Sequence, residues 1–196
     1  HRAGFLAAAH LRRQGARRIA FVGYLHQADT VRARIAGYRD ALDAAEPPRV
    51  FLLPEEERMT LVPAMRNCRG FVCANDRVAA RLMHAFIAAR RRVPEDAAIV
   101  GMDDVRYASL LPVPLTTIHQ PCGEIGETAL RLMLDRLDRP QRPAREVLVD
   151  CALVPRESCG EKPAPVPSAA QRISMAARSA RKVSPLPAKT SGGKRR

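Results

Sequence analysis

The sequence predicts an α/β fold in which helices cover both faces of a doubly wound parallel sheet. Short apolar runs typical of buried strands alternate with segments whose apolar residues repeat at helical spacing. Two of the runs end in polar residues, at Asn75-Asp76 and at Asp103-Asp104. In an open parallel sheet, small ligands bind in the crevice outside the carboxyl ends of the strands. These side chains are therefore candidates for a ligand site.

The first half of the chain alternates helix and strand. The predicted elements are a helix from Phe5 to Gly15, a strand over 18–23, a helix from Asp29 or Thr30 to Pro47-Pro48, and a strand over 49–53. Gly15 is a usual residue just past a helix end. The apolar positions of the second helix, from Val31 to Leu42, fall on one face. Residues 54–67 are ambiguous, because Pro63 interrupts a pattern that looks helical.

The second half continues the alternation and then changes. We expect a strand over 70–74, a helix from Asp76, a strand over 98–102, a proline-broken crossing between subdomains over 110–119, a helix over 121–137 and a final strand over 146–154. Right-handed crossovers place the carboxyl ends of all parallel strands at the same side of the sheet. The loops expected to face one another there are 24–30, 54–57, 75–76 and 103–109.

The net charge of +13 is unevenly distributed. Residues 161–196 hold nine of the 33 Lys and Arg residues and one of the 20 Asp and Glu residues, which leaves 24 and 19 for the rest of the chain. Charge alone is thus a weak indication of nucleic-acid binding by residues 1–160. We expect a disordered tail from 161, since it holds five prolines and no aromatic residue. No leader or membrane-length apolar run is present, so a cytoplasmic location is expected.

Several chemical functions are not favoured by the residue pattern. The five cysteines are scattered without a C-x-x-C spacing, and no histidine cluster occurs, so we expect no disulfide framework, metal or cofactor. Asp103-Asp104 could belong to the acidic metal site of a hydrolase, which needs carboxylates from other strand ends. Only Asp29, several residues late, follows the first strand. No nucleophile elbow or phosphate-binding glycine loop is present, so an enzyme is not expected.

A series of motifs resembles the effector-sensing domain of the lactose-repressor family of bacterial transcription regulators. The matching segments are Gly15 to Gly23, Arg34 to Leu42, Phe71 to Asp76, Arg92 to Asp96, Ile99 to Asp104, Pro114 to Pro121, Gly126 to Ala129, and Arg156 to Ser158. Several are weak alone, but their order across residues 1–160 is specific. The stretch from Leu115 to Leu137 resembles the purine-repressor branch of the family.

The resemblance implies a type I periplasmic-binding-protein-like pair of α/β subdomains with the effector in the cleft between them. It assigns residues 1–118 to a nearly complete C-terminal subdomain and residues 119–160 to a helix and strand that complete the two-subdomain fold. Residues 161–196 remain a basic tail. Most of the N-terminal subdomain and the DNA-reading headpiece are absent from this sequence. The apolar face of the helix over 121–138 is expected to be exposed, and the chain is expected to self-associate.

By motif position, the resemblance implies that Arg34, Asn75 and Asp103 hydrogen-bond the effector. Asp76 is expected to contact the ligand or to cap the following helix. No aromatic residue lies between Phe51 and Phe71, where family members often stack an aromatic side chain on the effector.

The expected effector is a sugar or polyol, with a purine as second choice, and the expected partners are operator DNA, through the absent headpiece, and a second copy in a homodimer. The expected function is the sensing part of a transcription regulator, with repression as the expected mode. The alternative is a solute-binding protein of a transporter or a stand-alone sensor without a DNA role. A signal peptide upstream of His1 would discriminate between them.

Overall fold

The computed structural model describes residues 1–25, 29–43, 46–54 and 63–160. The helices are α1 (Arg2–Arg13), α2 (Asp29–Asp40), α3 (Asp76–Ala88) and α4 (Cys122–Asp138). The strands are β1 (Ile19–Tyr24), β2 (Arg49–Leu53), β3 (Gly70–Cys73), β4 (Ala98–Asp103), β5 (Thr116–His119) and β6 (Ala152–Val154). Short 3₁₀ helices cover Pro63–Asn67, Arg106–Leu110 and Glu157–Cys159.

The strands form a sheet in the order β2-β1-β3-β4-β5-β6. The pairs from β2 to β5 are parallel, and β6 pairs with β5 in the antiparallel direction. From β1 the chain moves outward to β2, and from β3 it moves the other way to β4, so the winding reverses between β1 and β3. This arrangement confirms the predicted doubly wound sheet and places the ends of β1, β3 and β4 at one side. We call that side the carboxyl end of the sheet.

Adjacent residues of β3 show that α1 and α3 cover opposite faces. The ring centroids of Phe71 and Phe86, the latter in α3, lie 5.1 Å apart. A Cβ atom added to Gly70 would lie 3.3 Å from Leu11 Cδ1 in α1. Successive residues of a strand point to opposite faces. Because both faces are covered, β1 and β3 are fully buried, which explains their continuous apolar runs.

Helices α1 and α2 pack backbone against backbone through two glycines. A Cβ atom added to Gly4 would lie 1.9 Å from Arg34 O, and one added to Gly37 would lie 2.0 Å from His1 O. No larger residue fits at either position without moving a helix. The Tyr38 hydroxyl donates to Ile19 O over 2.9 Å and holds α2 against β1. These contacts fix where α2 presents its other side chains.

The helix ends agree with the prediction in α1 but not in α2. α1 is followed by Gly15, whose φ of 81° lies in the left-handed region that glycine adopts without strain. α2 ends at Asp40 and does not reach Pro47-Pro48, so its predicted end was wrong. The Ala41 N–H is shared between the carbonyls of Gly37 and Tyr38, at 3.2 Å each, which tightens the last turn.

The predicted strand over 146–154 was wrong in length. Only Ala152–Val154 pairs with the sheet, because β5 ends at His119 and offers no partner further along. Val147 and Leu148 are 50% and 87% exposed. The segment over 110–119, expected to cross between subdomains, contributes β5 to the same sheet.

Some expectations fall on residues outside the described part of the chain. They concern residues 26–28 of the first loop, the helix-like pattern at 55–57 and the tail from 161. Among the described residues, no helix combines the length and the apolar content needed to cross a bilayer.

Candidate functional site

The structure brings Arg34 and Asp103 together at the carboxyl end of the sheet. Arg34 Nη2 lies 3.6 Å from Asp103 Oδ1, and Arg34 Nη1 donates to Ala74 O over 2.5 Å. The Arg34 side chain is 15% exposed and that of Asp103 is 36% exposed. A guanidinium held by a backbone carbonyl and a partly exposed carboxylate thus lie side by side. The two residues predicted from different segments form one donor–acceptor pair.

Asp103 and Asp104 both have left-handed backbone conformations, with φ values of 116° and 52°. Such conformations cost energy in non-glycine residues and are concentrated at functional sites. Gln120 donates its side-chain N–H to Asp103 Oδ1 over 2.5 Å. Burial raises the pKa of Asp103, while the Arg34 charge and the Gln120 hydrogen bond act in the opposite direction. Asp103 is therefore an acceptor that already has two donors beside it.

Asn75 is the N-cap of α3, whereas Asp76 was the residue predicted as a possible cap. Its side-chain oxygen accepts a hydrogen bond from Val78 N over 2.9 Å, and its φ of −158° is extended. Capping uses the amide oxygen. The amide nitrogen of Asn75 takes no part in this cap and is the donor that it can offer to a ligand.

Asp76 is fully buried at the carboxyl end of the sheet. It accepts hydrogen bonds from the Thr117 hydroxyl over 2.6 Å and from Val105 N over 3.0 Å. A Cβ atom on Gly101 would lie 2.1 Å from its Oδ1. Burial raises the pKa of Asp76 to about 6 although both hydrogen bonds lower it, and the nearby Asp103 raises it further. Both oxygens accept hydrogen bonds within the protein, so Asp76 holds the segment after β4 against β5. Its predicted ligand contact stays a prediction.

Asp104 belongs to a separate set of contacts that joins β4 to β5 and β6. Arg156 Nη2 donates to Asp104 Oδ1 over 2.7 Å, and His119 Nδ1 lies 3.0 Å from Asp104 Oδ2. Nearby, the Ser158 hydroxyl donates to Ile99 O over 2.6 Å. The adjacent carboxylates of Asp103 and Asp104 thus have different partners. Across the residues that the structure describes, no three His, Cys, Asp or Glu side chains are grouped as ligands for a metal.

Two residues of this region were not singled out from the sequence. Gln120 follows β5, and the pairing of Asp103 with His119 places it just past the same end of the sheet. It was missed because its segment was interpreted as a crossing rather than as the end of a strand. Tyr107 is 43% exposed, and the charges of Asp76 and Asp103 add to the effect of burial in raising its pKa. The only feature of the sequence that could have identified Tyr107 was its position in the predicted loop 103–109.

The mostly parallel sheet with helices on both faces is the fold of periplasmic-binding-protein-like domains. Over residues 8–159 the chain matches, and belongs to, the family of periplasmic-binding-protein-like domains. It is 31% identical over 165 residues to the ribose operon repressor of Escherichia coli, covering 79% of this chain and 50% of that protein. It is 29% identical over 170 residues to the HTH-type repressor PurR of Salmonella arizonae, covering 82% and 50%.

A solved structure shows the same fold. The ribose-bound LacI family transcriptional regulator from Enterococcus faecalis superposes with a TM-score of 0.70 at 27% identity, covering 80% of this chain and 60% of that one. The resemblance to the lactose-repressor family is thereby confirmed, with a purine repressor among the relatives. These three relatives are transcription regulators and not enzymes. The chain spans about half the length of the curated relatives it matches.

Proposed function

We propose that this chain is the effector-sensing part of a lactose-repressor-type transcription regulator, and that it binds a sugar or polyol. The observation that carries the proposal is the Arg34–Asp103 pair, 3.6 Å apart at the carboxyl end of the sheet. A guanidinium offers several N–H donors in a fixed fork, and an ionised carboxylate accepts from hydroxyl groups. Adjacent hydroxyls of a sugar can satisfy both groups at once.

The remaining contacts position this pair and supply further polar groups. Gln120 lies beside Asp103 and can exchange its hydrogen bond for one from a ligand hydroxyl. Asn75 follows Ala74, whose carbonyl is the acceptor of Arg34, and its amide nitrogen can supply another donor. Asp76 holds the backbone near these polar groups in place through its hydrogen bonds with Val105 N and the Thr117 hydroxyl. The ribose bound to the Enterococcus faecalis regulator supports a sugar, and the similarity to PurR keeps a purine as the second candidate.

Signalling in a regulator of this kind is a shift between conformations of different operator affinity. A ligand shifts such an equilibrium only through its different affinity for the two states. Binding at Arg34 and Asp103 would favour one of two conformations, which differ in how far the cleft between this subdomain and its partner subdomain is closed. In a homodimer, that closure would set the separation of two helix-turn-helix headpieces, which must match the spacing of the operator half-sites. A cytoplasmic location follows from the proposed contact with operator DNA.

Isothermal titration of the 196-residue chain with ribose, other sugars, polyols and purines tests the ligand assignment. We expect Arg34→Ala and Asp103→Asn to weaken sugar binding at least ~10-fold, because each removes a hydrogen bond to a charged group. Arg32→Ala is the matched control, since Arg32 lies on the same helix and pairs with Asp29 at the surface. Sugar affinity unchanged in both site variants, or no binding by any compound of the panel, would contradict the proposal.

A further inference from the structure

A cluster of arginines lies at the opposite end of the sheet, where β1, β3 and β4 begin. Four arginines and one asparagine line a cavity there of about 340 Å³, which we call the arginine cleft: Arg17, Arg18, Arg66, Asn67 and Arg69. No acidic residue lines it. The arginine cleft and the Arg34–Asp103 pair lie at opposite ends of the sheet, because the parallel strands run from one to the other. The ligand of the arginine cleft would therefore be different from the effector.

Three of the four arginines of the arginine cleft have no acidic partner in the described part of the chain. Arg17, Arg18 and Arg66 form no ion pair with any described residue. Arg69 Nη1 donates to the backbone oxygen of Asp96 over 3.4 Å and lies 4.0 Å from Asp96 Oδ1. The planar guanidinium fork matches the geometry of carboxylates and phosphates. Four guanidinium groups around one cavity repel one another unless an anion lies between them.

The acids of the adjoining cavity are already engaged. That cavity has a volume of about 950 Å³ and shares Arg17 and Arg18 with the arginine cleft. Its carboxylates belong to Asp43, which pairs with Arg12, and to Glu46, which accepts from Ile19 N over 3.1 Å. Neither has an ion pair with an arginine of the cleft. The excess of positive charge thus extends into this one neighbouring cavity, whereas a second cavity, which shares Arg17 and Arg69, is also lined by Glu95.

The backbone that carries these arginines is fixed by the sheet. Arg69 N donates to Arg17 O over 3.2 Å, and Ala98 N donates to Arg69 O over 2.9 Å, so both loops extend the ladder of the strands. The 3₁₀ helix that carries Arg66 is anchored by the fully buried Met65. Arg18 has a left-handed backbone with φ of 53°. Guanidinium groups on a fixed backbone lose less freedom when they bind a ligand than those on a loose loop.

We propose that the arginine cleft binds an oligophosphate, a small molecule with two or more linked phosphate groups. Each phosphate can accept two parallel N–H bonds from one guanidinium. A chain of linked phosphates carries several negative charges and can contact more than one arginine at once, whereas a single carboxylate or phosphate neutralises only part of the cluster. The cleft volume lies at the small end of the range for small-molecule sites, about 300 to 1,000 Å³. A small oligophosphate therefore fits it better than a nucleic-acid duplex.

Calorimetric titration of the 196-residue chain with inorganic tripolyphosphate, at ~150 mM salt to screen weak surface attraction, tests this site. The cleft variant combines Arg17→Gln, Arg18→Gln and Arg66→Gln. The control combines Arg32→Gln, Arg106→Gln and Arg139→Gln, which remove the same charge elsewhere on the surface. The basic tail is present in all three proteins, so its contribution to tripolyphosphate binding is the same in each of them. We expect saturable binding that weakens at least ~10-fold in the cleft variant and less than ~2-fold in the control.

Backbone amide NMR shifts of the unmodified chain provide a second readout that does not depend on the folding of a variant. We expect the shifts induced by tripolyphosphate to be confined to residues 16–18 and 66–70. Equal weakening in the two triple variants, or shifts confined to residues 161–196, would overturn the proposal. So would a short DNA duplex that displaces tripolyphosphate from the cleft at equal phosphate concentration, because the site would then be a nucleic-acid surface.

Discussion

Helices α3 and α4 have similar amphipathic patterns and opposite environments. Of the 13 residues of α3, six are buried, whereas none of the 17 residues of α4 is buried. α3 connects β3 to β4, which are neighbours in the sheet, so it must lie across them. α4 follows β5 and precedes the short edge strand β6, and its large apolar residues are exposed. An amphipathic pattern thus predicts that a helix has an apolar partner but does not identify that partner.

The same substitution in the two helices should have very different costs. Leu82 in α3 is fully buried, and Leu134 in α4 is 51% exposed. We expect Leu82→Ala to lower the free energy of unfolding by about 2–5 kcal/mol, because it removes transfer energy and leaves a cavity. Leu134→Ala should change it by less than about 0.5 kcal/mol. Urea unfolding at low protein concentration measures both, and equal losses would show that α4 is packed as α3 is.

The buried carboxyl group at the start of α3 should make stability depend on pH. Burial raises the pKa of Asp76 to about 6, well above the ~3.9 of an unfolded aspartate. Between these values the folded chain retains a proton that the unfolded chain has released. Stability should therefore be highest below about pH 4 and fall as pH rises through 6, by about 3 kcal/mol.

Unfolding of the Asp76→Asn variant across this pH range measures that contribution, and its curve should be flatter than that of the original chain. Asp138→Asn, at the exposed end of α4, is the control and should leave the pH dependence unchanged. A slope identical in the original chain and in Asp76→Asn would show that Asp76 does not hold its proton in the folded state.

The uncovered face of α4 should drive self-association of the chain. Its exposed apolar residues are Ile125, Leu130, Met133, Leu134 and Leu137, between 42% and 70% exposed. We expect light scattering to detect oligomers at moderate concentration, and Leu130→Glu with Leu134→Glu to weaken association at least ~10-fold, about 1.4 kcal/mol. Leu110→Glu with Leu148→Glu is the control, since these leucines are 81% and 87% exposed elsewhere. A monodisperse monomer of the original chain would contradict the expectation.

The fold was predictable wherever the local sequence pattern and the sheet topology favour the same secondary structure. Continuous apolar runs identified β1, β3 and β4, because strands covered on both faces need no alternation. The pattern over 146–154 alternated correctly, but a strand also needs a partner, and β5 ends at His119. Similarly, Pro47-Pro48 can stop a helix but cannot show that α2 ends earlier, at Asp40.

The candidate site was predictable in its position and only partly in its contacts. Topology and the family resemblance placed Arg34 and Asp103 at one end of the sheet, and the structure brings them within 3.6 Å. The capping of α3 by Asn75 in place of Asp76 was not predicted. The buried contacts of Asp76 were not predictable, because they depend on Thr117, which lies far along the chain in β5. Gln120 acquired its contact with Asp103 only through the register of β4 and β5.

Sequencing the DNA upstream of the codon for His1 tests most directly whether this chain senses an effector for a transcription regulator. We expect an in-frame stretch about as long as the matched region, which opens with a helix-turn-helix pattern and encodes the subdomain that covers α4. A secretory signal peptide in that place would indicate a solute-binding protein. That result, or a stop codon immediately before His1, would contradict the proposed function.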